Sequence, residues 1–158
     1  MQSEPFEIQA SEWFNTSAPI NLTSLKGRVV ILGAFQMLCP ACVAHSIPQL
    51  KKLHQLFREA PVTVIGLHTV FEHHEAMQPV SLKAFIHEYR LEFPIGVDAP
   101  SGAAIPLTMQ SLQLQGTPST VIWDGDGRIR FHQFGQVDDL ALGASIGQLV
   151  AQTMQASA

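Results

Sequence analysis

The run from Arg28 to Cys42 reads Arg-Val-Val-Ile-Leu-Gly-Ala-Phe-Gln-Met-Leu-Cys-Pro-Ala-Cys and is the most informative segment of the chain. Its first half, Arg28 to Phe35, is an unbroken series of β-branched and apolar residues. Such a series is typical of a strand that is covered on both faces in a parallel or mixed sheet. The sequence therefore predicts a buried strand whose end delivers the cysteine pair, Cys39 and Cys42.

The segment from Pro40 to Glu59 has the periodicity of a helix, because its apolar residues recur every three or four positions. Pro40 suits a first helical turn, whereas Pro48 lies inside the helix and predicts a kink. Residues 61 to 67 then form a second apolar run, which predicts another buried strand. A strand, a helix and a strand in this order predict a βαβ unit with parallel strands and a right-handed crossover. The apolar positions of the helix are Val43, Ile47, Leu50, Leu53 and Phe57.

Weaker elements surround this unit. Residues 1 to 27 are polar and turn-rich and are predicted to be an N-terminal extension folded onto the domain. A polar loop over 69–78 opens an insertion after the βαβ unit. The insertion is predicted to hold a helix with Leu82, Phe85, Ile86 and Tyr89 on its apolar face, a short strand over 93–97 and a helix over 107–114.

The C-terminal part predicts a hairpin and a closing helix. Two apolar runs, 120–123 and 128–131, flank Asp124-Gly-Asp-Gly, a strong hairpin signal. The same four residues resemble the start of a calcium loop but lack its later ligands, so we interpret them as a turn. The last helix is predicted over 138–154, with Asp138 as its cap.

Composition limits the class of protein. The 158 residues are 46% hydrophobic and 14% charged, which predicts one folded domain over residues 1–158. Nine Lys plus Arg against thirteen Asp plus Glu give a net charge of -4 without a basic block, so nucleic acid is not an expected partner. Neither a membrane span nor a leader peptide is visible. The sequence as written predicts a cytoplasmic protein, or a periplasmic or membrane-tethered one if a leader has been removed.

The spacing of the two cysteines predicts redox chemistry. Cys39 is expected at a helix N-terminus, where unpaired N–H groups and the helix dipole stabilise a thiolate. It is therefore the predicted nucleophile. Cys42 lies one turn further on, close enough to attack a mixed disulfide at Cys39, and is the predicted resolving thiol.

Metal binding is the alternative for such a pair. His68 with His73 or His74 could complete a Cys2His2 zinc site. The segment between Cys42 and His68 contains a whole helix and strand, whereas zinc knuckles usually sit on turns, so no metal site is predicted.

The order of these elements resembles the thioredoxin fold, and the chain is similar to redoxins of the TlpA/ResA kind. Trp13-Phe14-Asn15, followed by Leu22-Thr-Ser-Leu-Lys-Gly-Arg-Val-Val, is similar to the family's entry motif, so the likeness covers about residues 11 to 152. It implies an α/β fold with a central mixed sheet flanked by helices. It also implies that Pro118 is a cis-proline facing the cysteines, and that the backbone of Thr117 contacts an incoming polypeptide.

Three positions depart from the family pattern. The usual Trp before the first cysteine is Leu38, and the buried acidic or amide residue six positions before Cys39 is Gly33. ResA-like sequences carry Glu three residues after the second cysteine, where this chain has His45. On a helix His45 would lie near Cys42, so it is either the group that exchanges the proton of Cys42 or a packing residue on the helix flank.

The run from His68 to Glu75 is rich in histidine and should border the active site, because it follows a strand parallel to the one before Cys39. It is interpreted as a solvated loop, with substrate contact through His68 as the next alternative and metal binding as a third.

Three functions compete for this sequence. The first is a thiol-disulfide oxidoreductase that needs no cofactor and exchanges disulfides with protein disulfides or dithiols, recycled by an external thiol reductant or oxidant. The second is a peroxiredoxin-like peroxidase, against which Leu32 and Gln36 replace the Pro and Thr of that family's site pattern. The third is a non-catalytic binding module or a metal carrier, with copper held by the cysteines and a histidine. Neither the direction of the redox reaction nor the oligomeric state is predicted.

Overall fold

A six-stranded mixed sheet runs through residues 5–157, the part of the chain that the computed structural model describes. Its strands lie side by side in the order β1-β4-β3-β2-β5-β6. β2, β3 and β4 are parallel to one another, and β1, β5 and β6 run antiparallel to their neighbours. This arrangement confirms the predicted mixed sheet and its βαβ unit. The strands are β1 (Ala10–Phe14), β2 (Val29–Phe35), β3 (Val62–His68), β4 (Ile95–Asp98), β5 (Ser119–Trp123) and β6 (Ile129–Phe134).

Helices cover both faces of this sheet. The α-helices are α1 (Ile47–Leu56), α2 (Pro79–Glu88), α3 (Leu107–Ser111) and α4 (Asp139–Ala156), and short 3-10 segments lie at Thr23–Leu25 and His74–Met77. Apolar residues of α1, α2 and α4 pack on one face of β2. Those of α3 and of the N-terminal segment pack on the other face. None of the helices within residues 5–157 is both long enough and apolar enough to cross a bilayer.

Strand β2 is the centre of the molecule, and every one of its seven residues is buried. Val29, Ile31 and Phe35 contribute to the apolar cluster under α1 and α4. Val30 and Leu32 contribute to the cluster on the opposite face. Because successive side chains of a strand point to opposite faces, only a strand covered on both sides needs such an uninterrupted apolar run.

The helix after Cys39 departs from regular α geometry where Pro48 requires it. Pro48 has no N–H to donate to the carbonyl four residues earlier. The preceding segment, Cys42–Ser46, widens into a π-helical turn in which the Ile47 N–H donates to the Cys42 carbonyl, and α1 then begins at Ile47. The structure has a π turn immediately before Pro48, a feature that is frequent at functional sites, and the predicted kink itself stays a prediction.

Other elements differ from the predictions in their bounds. The N-terminal extension supplies an edge strand, β1, which pairs antiparallel with β4. The third helix stops at Ser111 instead of residue 114, because Gln113 adopts a left-handed conformation with φ 54°. The predicted hairpin is confirmed, and its turn is held by the Asp124 carboxylate, which accepts hydrogen bonds from the N–H groups of Asp126 and Arg128. Asp138 caps α4 as predicted, accepting from the Ala141 N–H at 2.9 Å.

Candidate active site

The two cysteines lie where β2 ends and the helix begins, and both are free thiols. Cys39 is half-buried, whereas Cys42 is completely buried. The Cys42 N–H donates to Cys39 Sγ at 3.3 Å, which is the interaction that stabilises a thiolate at a helix N-terminus. Cys39 Sγ also contacts the Thr117 carbonyl oxygen at 3.6 Å. The geometry thus offers one half-buried cysteine and one that is fully buried.

Cys42 is held in its protonated form. Burial raises the pKa of the Cys42 thiol to about 12, and the neighbouring Cys39 adds to the increase. Two groups act in the opposite direction and lower this pKa: the main chain of Gln36 and the side chain of Thr117. Any reaction in which Cys42 is the nucleophile must therefore overcome a large cost of ionisation, which these two groups reduce.

The Thr117–Pro118 peptide bond is cis, as the family resemblance implied. Pro118 is buried beside the cysteines and Thr117 is half-buried. Besides its contact with Cys39, Thr117 accepts a hydrogen bond at Oγ1 from Gln36 Nε2 at 3.3 Å. The fold thus brings together four of the predicted site residues: Cys39, Cys42, Thr117 and Pro118.

His68 occupies a different place from the one predicted. It is the last residue of β3, its exposed fraction is 1%, and its ring packs against Phe35 with centroids 5.2 Å apart. The N–H of Met37 donates to His68 Nε2 at 3.2 Å. The interpretation of His68 as a substrate-contacting residue is wrong, because no surface remains for a substrate to touch. Burial lowers its pKa to about 4, so the ring is neutral and supports the loop before Cys39.

His45 lies on the exposed side of the π turn, in a groove that also contains Pro118 and Lys52. Among the hydrogen bonds of residues 5–157, none joins His45 to Cys42. The π turn changes the α-helical spacing on which the predicted proximity was based. Proton exchange between His45 and Cys42 stays a prediction, without a hydrogen bond between the two side chains among the described residues.

The loop after His68 borders the site, as its position after a parallel strand predicted. Phe71 reaches back to the active-site segment, where its N–H donates to Gln36 Oε1 at 3.2 Å. His74 contacts the Ala104 carbonyl oxygen at 3.2 Å through Nε2. Within residues 5–157 the structure brings together no group of three or more His, Cys, Asp or Glu side chains that could hold a metal ion.

Gly33 faces α1, and the space beside it is filled by Leu50. A Cβ at this position would lie 2.4 Å from Leu50 Cδ1 and 2.9 Å from Cδ2. Leu50 is itself buried in the core, so it has little room to move. The place of the family's usual acidic or amide residue is therefore closed by an apolar side chain, and no carboxyl group at position 33 serves Cys42.

This packing predicts that Gly33→Ala destabilises the protein. Inserting a methyl group into a filled core costs about 1–3 kcal/mol, so we expect a loss of that size in the free energy of unfolding, measured in urea. The matched control is Gly143→Ala in α4, where a Cβ meets nothing within 4 Å. There we expect a gain of about 0.5–1 kcal/mol, because alanine favours the helix. Equal stability of the two variants would contradict the packing argument.

Gln36 is the site residue that sequence reasoning missed. In the sequence it is notable only because it stands where the peroxiredoxin site pattern has a threonine. Its exposed fraction is 1%. A detectable signal existed: a polar residue directly follows a strand that is buried on both faces. A buried amide needs hydrogen-bond partners, and Gln36 finds them on two other loops.

Comparison with known proteins agrees with this geometry. A model of the AhpC/TSA family matches residues 4–132. The chain belongs to the AhpC/TSA family. It is a thioredoxin-like redoxin, with the Cys-x-x-Cys pair of a thiol-disulfide oxidoreductase.

Two solved structures resemble this AhpC/TSA chain over nearly its whole length. A thioredoxin-like superfamily protein is 53% identical, with a TM-score of 0.89, and the match covers 91% of this chain and 94% of the other. A thiol-disulfide isomerase from Corynebacterium glutamicum is 48% identical, with a TM-score of 0.88, covering 92% and 95%.

The curated relatives are much longer proteins. NHL repeat-containing protein 2 of Gallus gallus is 29% identical over 128 residues, which are 79% of this chain and 16% of that protein. Protein DipZ of Mycobacterium bovis is 27% identical over 128 residues, or 80% of this chain and 17% of the relative. The redoxin chain thus spans less than a fifth of the curated relatives that it matches.

Proposed function

We propose that this chain exchanges disulfides with protein thiols through its Cys39-Pro-Ala-Cys42 segment. The observation that carries the proposal is the asymmetry of the pair. Cys39 Sγ is accessible and accepts the Cys42 N–H at 3.3 Å, whereas Cys42 is covered and protonated. One sulfur is placed to attack a large substrate, and the other is placed to act only after the first has reacted. The likeness to a thiol-disulfide isomerase at 48% identity supports this assignment.

The reaction takes place in two exchanges. The Cys39 thiolate attacks a substrate disulfide, forms a mixed disulfide and releases one substrate thiolate. Cys42 then loses its proton to solvent and attacks Cys39 Sγ, which forms the Cys39–Cys42 bond and releases the second substrate thiolate. The substrate has gained two electrons and the enzyme pair has lost two. An external dithiol restores the reduced enzyme, and the same steps run backwards oxidise a substrate dithiol.

The surroundings of Cys39 suit a polypeptide substrate. The loop with Thr117 and Pro118 lies against the sulfur, and Thr117 is proposed to offer its backbone to the substrate chain. A surface groove of about 250 Å³ continues from Pro118 between the π turn and the start of α4. Leu38, directly before Cys39, is 57% exposed and presents an apolar side chain to whatever approaches. A surface groove beside the cis-proline loop is proposed to accept side chains of an extended segment.

The peroxidase alternative requires a hydroxyl group at position 36, which this chain does not have. Position 36 carries an amide whose two ends are engaged by Thr117 and Phe71. It supplies no hydroxyl to activate a peroxide, so the structure favours disulfide exchange within the AhpC/TSA family.

The test is reduction of insulin disulfides with dithiothreitol as donor, followed as turbidity. We expect clear acceleration over dithiothreitol alone, together with little consumption of hydrogen peroxide under the same thiol supply. The control is protein whose cysteines have been alkylated with iodoacetamide. Rapid peroxide turnover without insulin reduction would overturn the proposal in favour of a peroxidase.

A further inference from the structure

The turn between β2 and the helix places Cys39. It runs from Gln36 to Cys39 and is closed by the Cys39 N–H, which donates to the Gln36 carbonyl at 3.1 Å. The helix follows at once, because the Val43 N–H donates to the Cys39 carbonyl at 3.1 Å. The Cys42 N–H donates to Cys39 Sγ at 3.3 Å. The position of the sulfur against this N–H therefore depends on the path of the turn.

His68 holds the turn from the neighbouring strand. The Met37 N–H, inside the turn, donates to His68 Nε2 at 3.2 Å, across 31 residues of sequence. His68 is the last partner of β2 in the β3 register, opposite Phe35, and the Thr69 N–H donates to the Phe35 carbonyl at 3.1 Å. The ring is 1% exposed and packs on Phe35, so the core fixes it in the position where it accepts. The turn is thus attached to β3 as well as to β2.

This hydrogen bond requires a neutral ring with a defined proton. A main-chain N–H can only donate, so His68 Nε2 must carry no proton, and the proton of the neutral ring is then on Nδ1. A charged imidazole has protons on both nitrogens and accepts from no donor. Burial lowers the pKa of His68 to about 4, which keeps the acceptor available at neutral pH.

The carboxylates of the neighbouring segments do not replace His68 as acceptor. Among the hydrogen bonds of residues 5–157, the partner of the Met37 N–H is His68 Nε2. The carboxylate of Asp98, at the end of β4, is engaged by Thr69 Oγ1 at 2.8 Å and by two main-chain N–H groups of α3. The carboxylates of the loop after β3 and of α2 are exposed: Glu72, Glu75 and Glu88.

We propose that His68 is a positioning residue for the first exchange, because by accepting the Met37 N–H it fixes the turn and keeps Cys39 Sγ against the Cys42 N–H. The inference rests on the proposed function, since that exchange begins with the Cys39 thiolate. Cys39 Sγ forms a bond to one sulfur of the substrate disulfide, the substrate S–S bond breaks, and the other sulfur leaves with the electron pair. Without the anchor the thiolate loses its N–H donor, so less thiolate is present at neutral pH.

The experiment uses the reduced full chain and 5,5′-dithiobis(2-nitrobenzoate) in a stopped-flow instrument. Cys39 attacks the reagent and releases a first yellow thiolate, and resolution by Cys42 releases a second. The rate of the first phase is recorded between about pH 6 and 10 for the unaltered chain and for His68→Gln, His68→Asn and His68→Leu. Folding of each variant is checked by urea unfolding.

The three variants separate the acceptor from the bulk of the ring. In His68→Gln the amide oxygen can reach the place of the imidazole Nε2 and accept the Met37 N–H. In His68→Asn the shorter side chain places its amide near the position of Nδ1, and His68→Leu has no acceptor at all. His68→Asn is therefore the matched control for His68→Gln, since both introduce a neutral amide into the same buried site.

We expect the pH midpoint of the first phase to rise by about one unit in His68→Asn and His68→Leu and to stay within about 0.3 units in His68→Gln. A rise of one unit leaves about a tenth of the thiolate at pH 7, and the higher nucleophilicity of a more basic thiolate offsets this loss about threefold. The first phase at about pH 7 should therefore be slowed about threefold. Above the midpoint these two variants should be at least as fast as the unaltered chain.

Leu149→Ala is the control for a general loss of stability. Leu149 is buried in α4 and lies beside Asp124, at the end of β5 that pairs with the start of β2 and is thus far from the cysteines. Removing this side chain weakens the core at the opposite sheet edge. We expect the midpoint and the rate of the first phase to match those of the unaltered chain.

Two results would overturn the role of His68. One is an unchanged midpoint in His68→Asn and His68→Leu, and the other is an equally large shift in His68→Gln or Leu149→Ala. If His68→Asn and His68→Leu do not fold, the tautomer of the unaltered chain decides. A long-range nitrogen–proton NMR spectrum of labelled protein should show the His68 proton on Nδ1, and a proton on Nε2 would overturn the inference.

The same traces distinguish this inference from the proposed function. An unaltered chain that releases only the first thiolate would refute the proposed function. A normal trace with two phases, combined with either of the two contrary results, would refute the role of His68 alone.

Discussion

We expect Cys39→Ser to abolish insulin reduction, leaving only the rate of dithiothreitol itself, whereas Cys42→Ser keeps the first exchange and stops at a mixed disulfide. The reason is the division of labour in the structure. Cys39 is only half-buried and its sulfur accepts the Cys42 N–H, whereas Cys42 is fully buried. A hydroxyl at position 39 is a far weaker nucleophile at neutral pH than a thiolate.

The measurement combines activity with trapping. Each variant is incubated with insulin and examined on a non-reducing gel. Cys42→Ser should form a covalent adduct whose disulfide bond is reduced by dithiothreitol. Cys39→Ser should form none. Folding of both variants is checked by thermal unfolding. The check matters most for Cys42→Ser, because there serine replaces a fully buried thiol. Adducts from Cys39→Ser but not from Cys42→Ser would mean that the roles of the two cysteines are reversed.

The second large effect concerns stability in acid. Burial lowers the pKa of His68 to about 4 from its ordinary value of 6.5. The unfolded chain therefore binds a proton at this residue before the folded chain does. The stability present above about pH 6.5 is lost as the pH falls towards 4, and a shift of this size corresponds to about 3 kcal/mol in the free energy of unfolding.

His68→Gln isolates this contribution, because a neutral amide oxygen can accept the Met37 N–H without titrating. Urea unfolding is measured at about pH 7.5, 5.5 and 4.5. As the pH falls, the free energy of unfolding should decrease steeply for the unaltered chain and less steeply for the variant. Burial raises the pKa of the Asp98 carboxyl, so this group stabilises the folded chain as the pH falls. Asp98 is present in both the unaltered chain and His68→Gln, so its effect cancels in the comparison. Parallel curves for the two proteins would contradict the burial of a neutral His68.

Part of this molecule is specified by short-range patterns. The uninterrupted apolar runs at β2 and β3 predict strands covered on both faces, and a helix between them requires a parallel pair. The Cys-x-x-Cys spacing then places both sulfurs at one sheet edge. Asp124-Gly-Asp-Gly and the Asp138 cap are equally local, because each forms hydrogen bonds with main-chain groups only a few residues away.

Which side chains surround the two cysteines depends on the tertiary structure. The sequence pattern assigns His68 to an exposed loop, although one more residue of β3 buries it against Phe35. The same pattern places His45 beside Cys42, but the π turn demanded by Pro48 leaves that side chain in solvent.

The βαβ unit, the hairpin and the redox pair can be derived from local patterns, because periodicity and turn chemistry act between residues that are near in the chain. The thioredoxin-like fold class is what the family resemblance implies. The surroundings of the pair are set by tertiary contacts. Gln36 meets Thr117 across 81 residues, and Leu50 fills the space beside Gly33. Such contacts arise when separate loops converge on one sheet edge, and the composition of each loop by itself does not specify its partners.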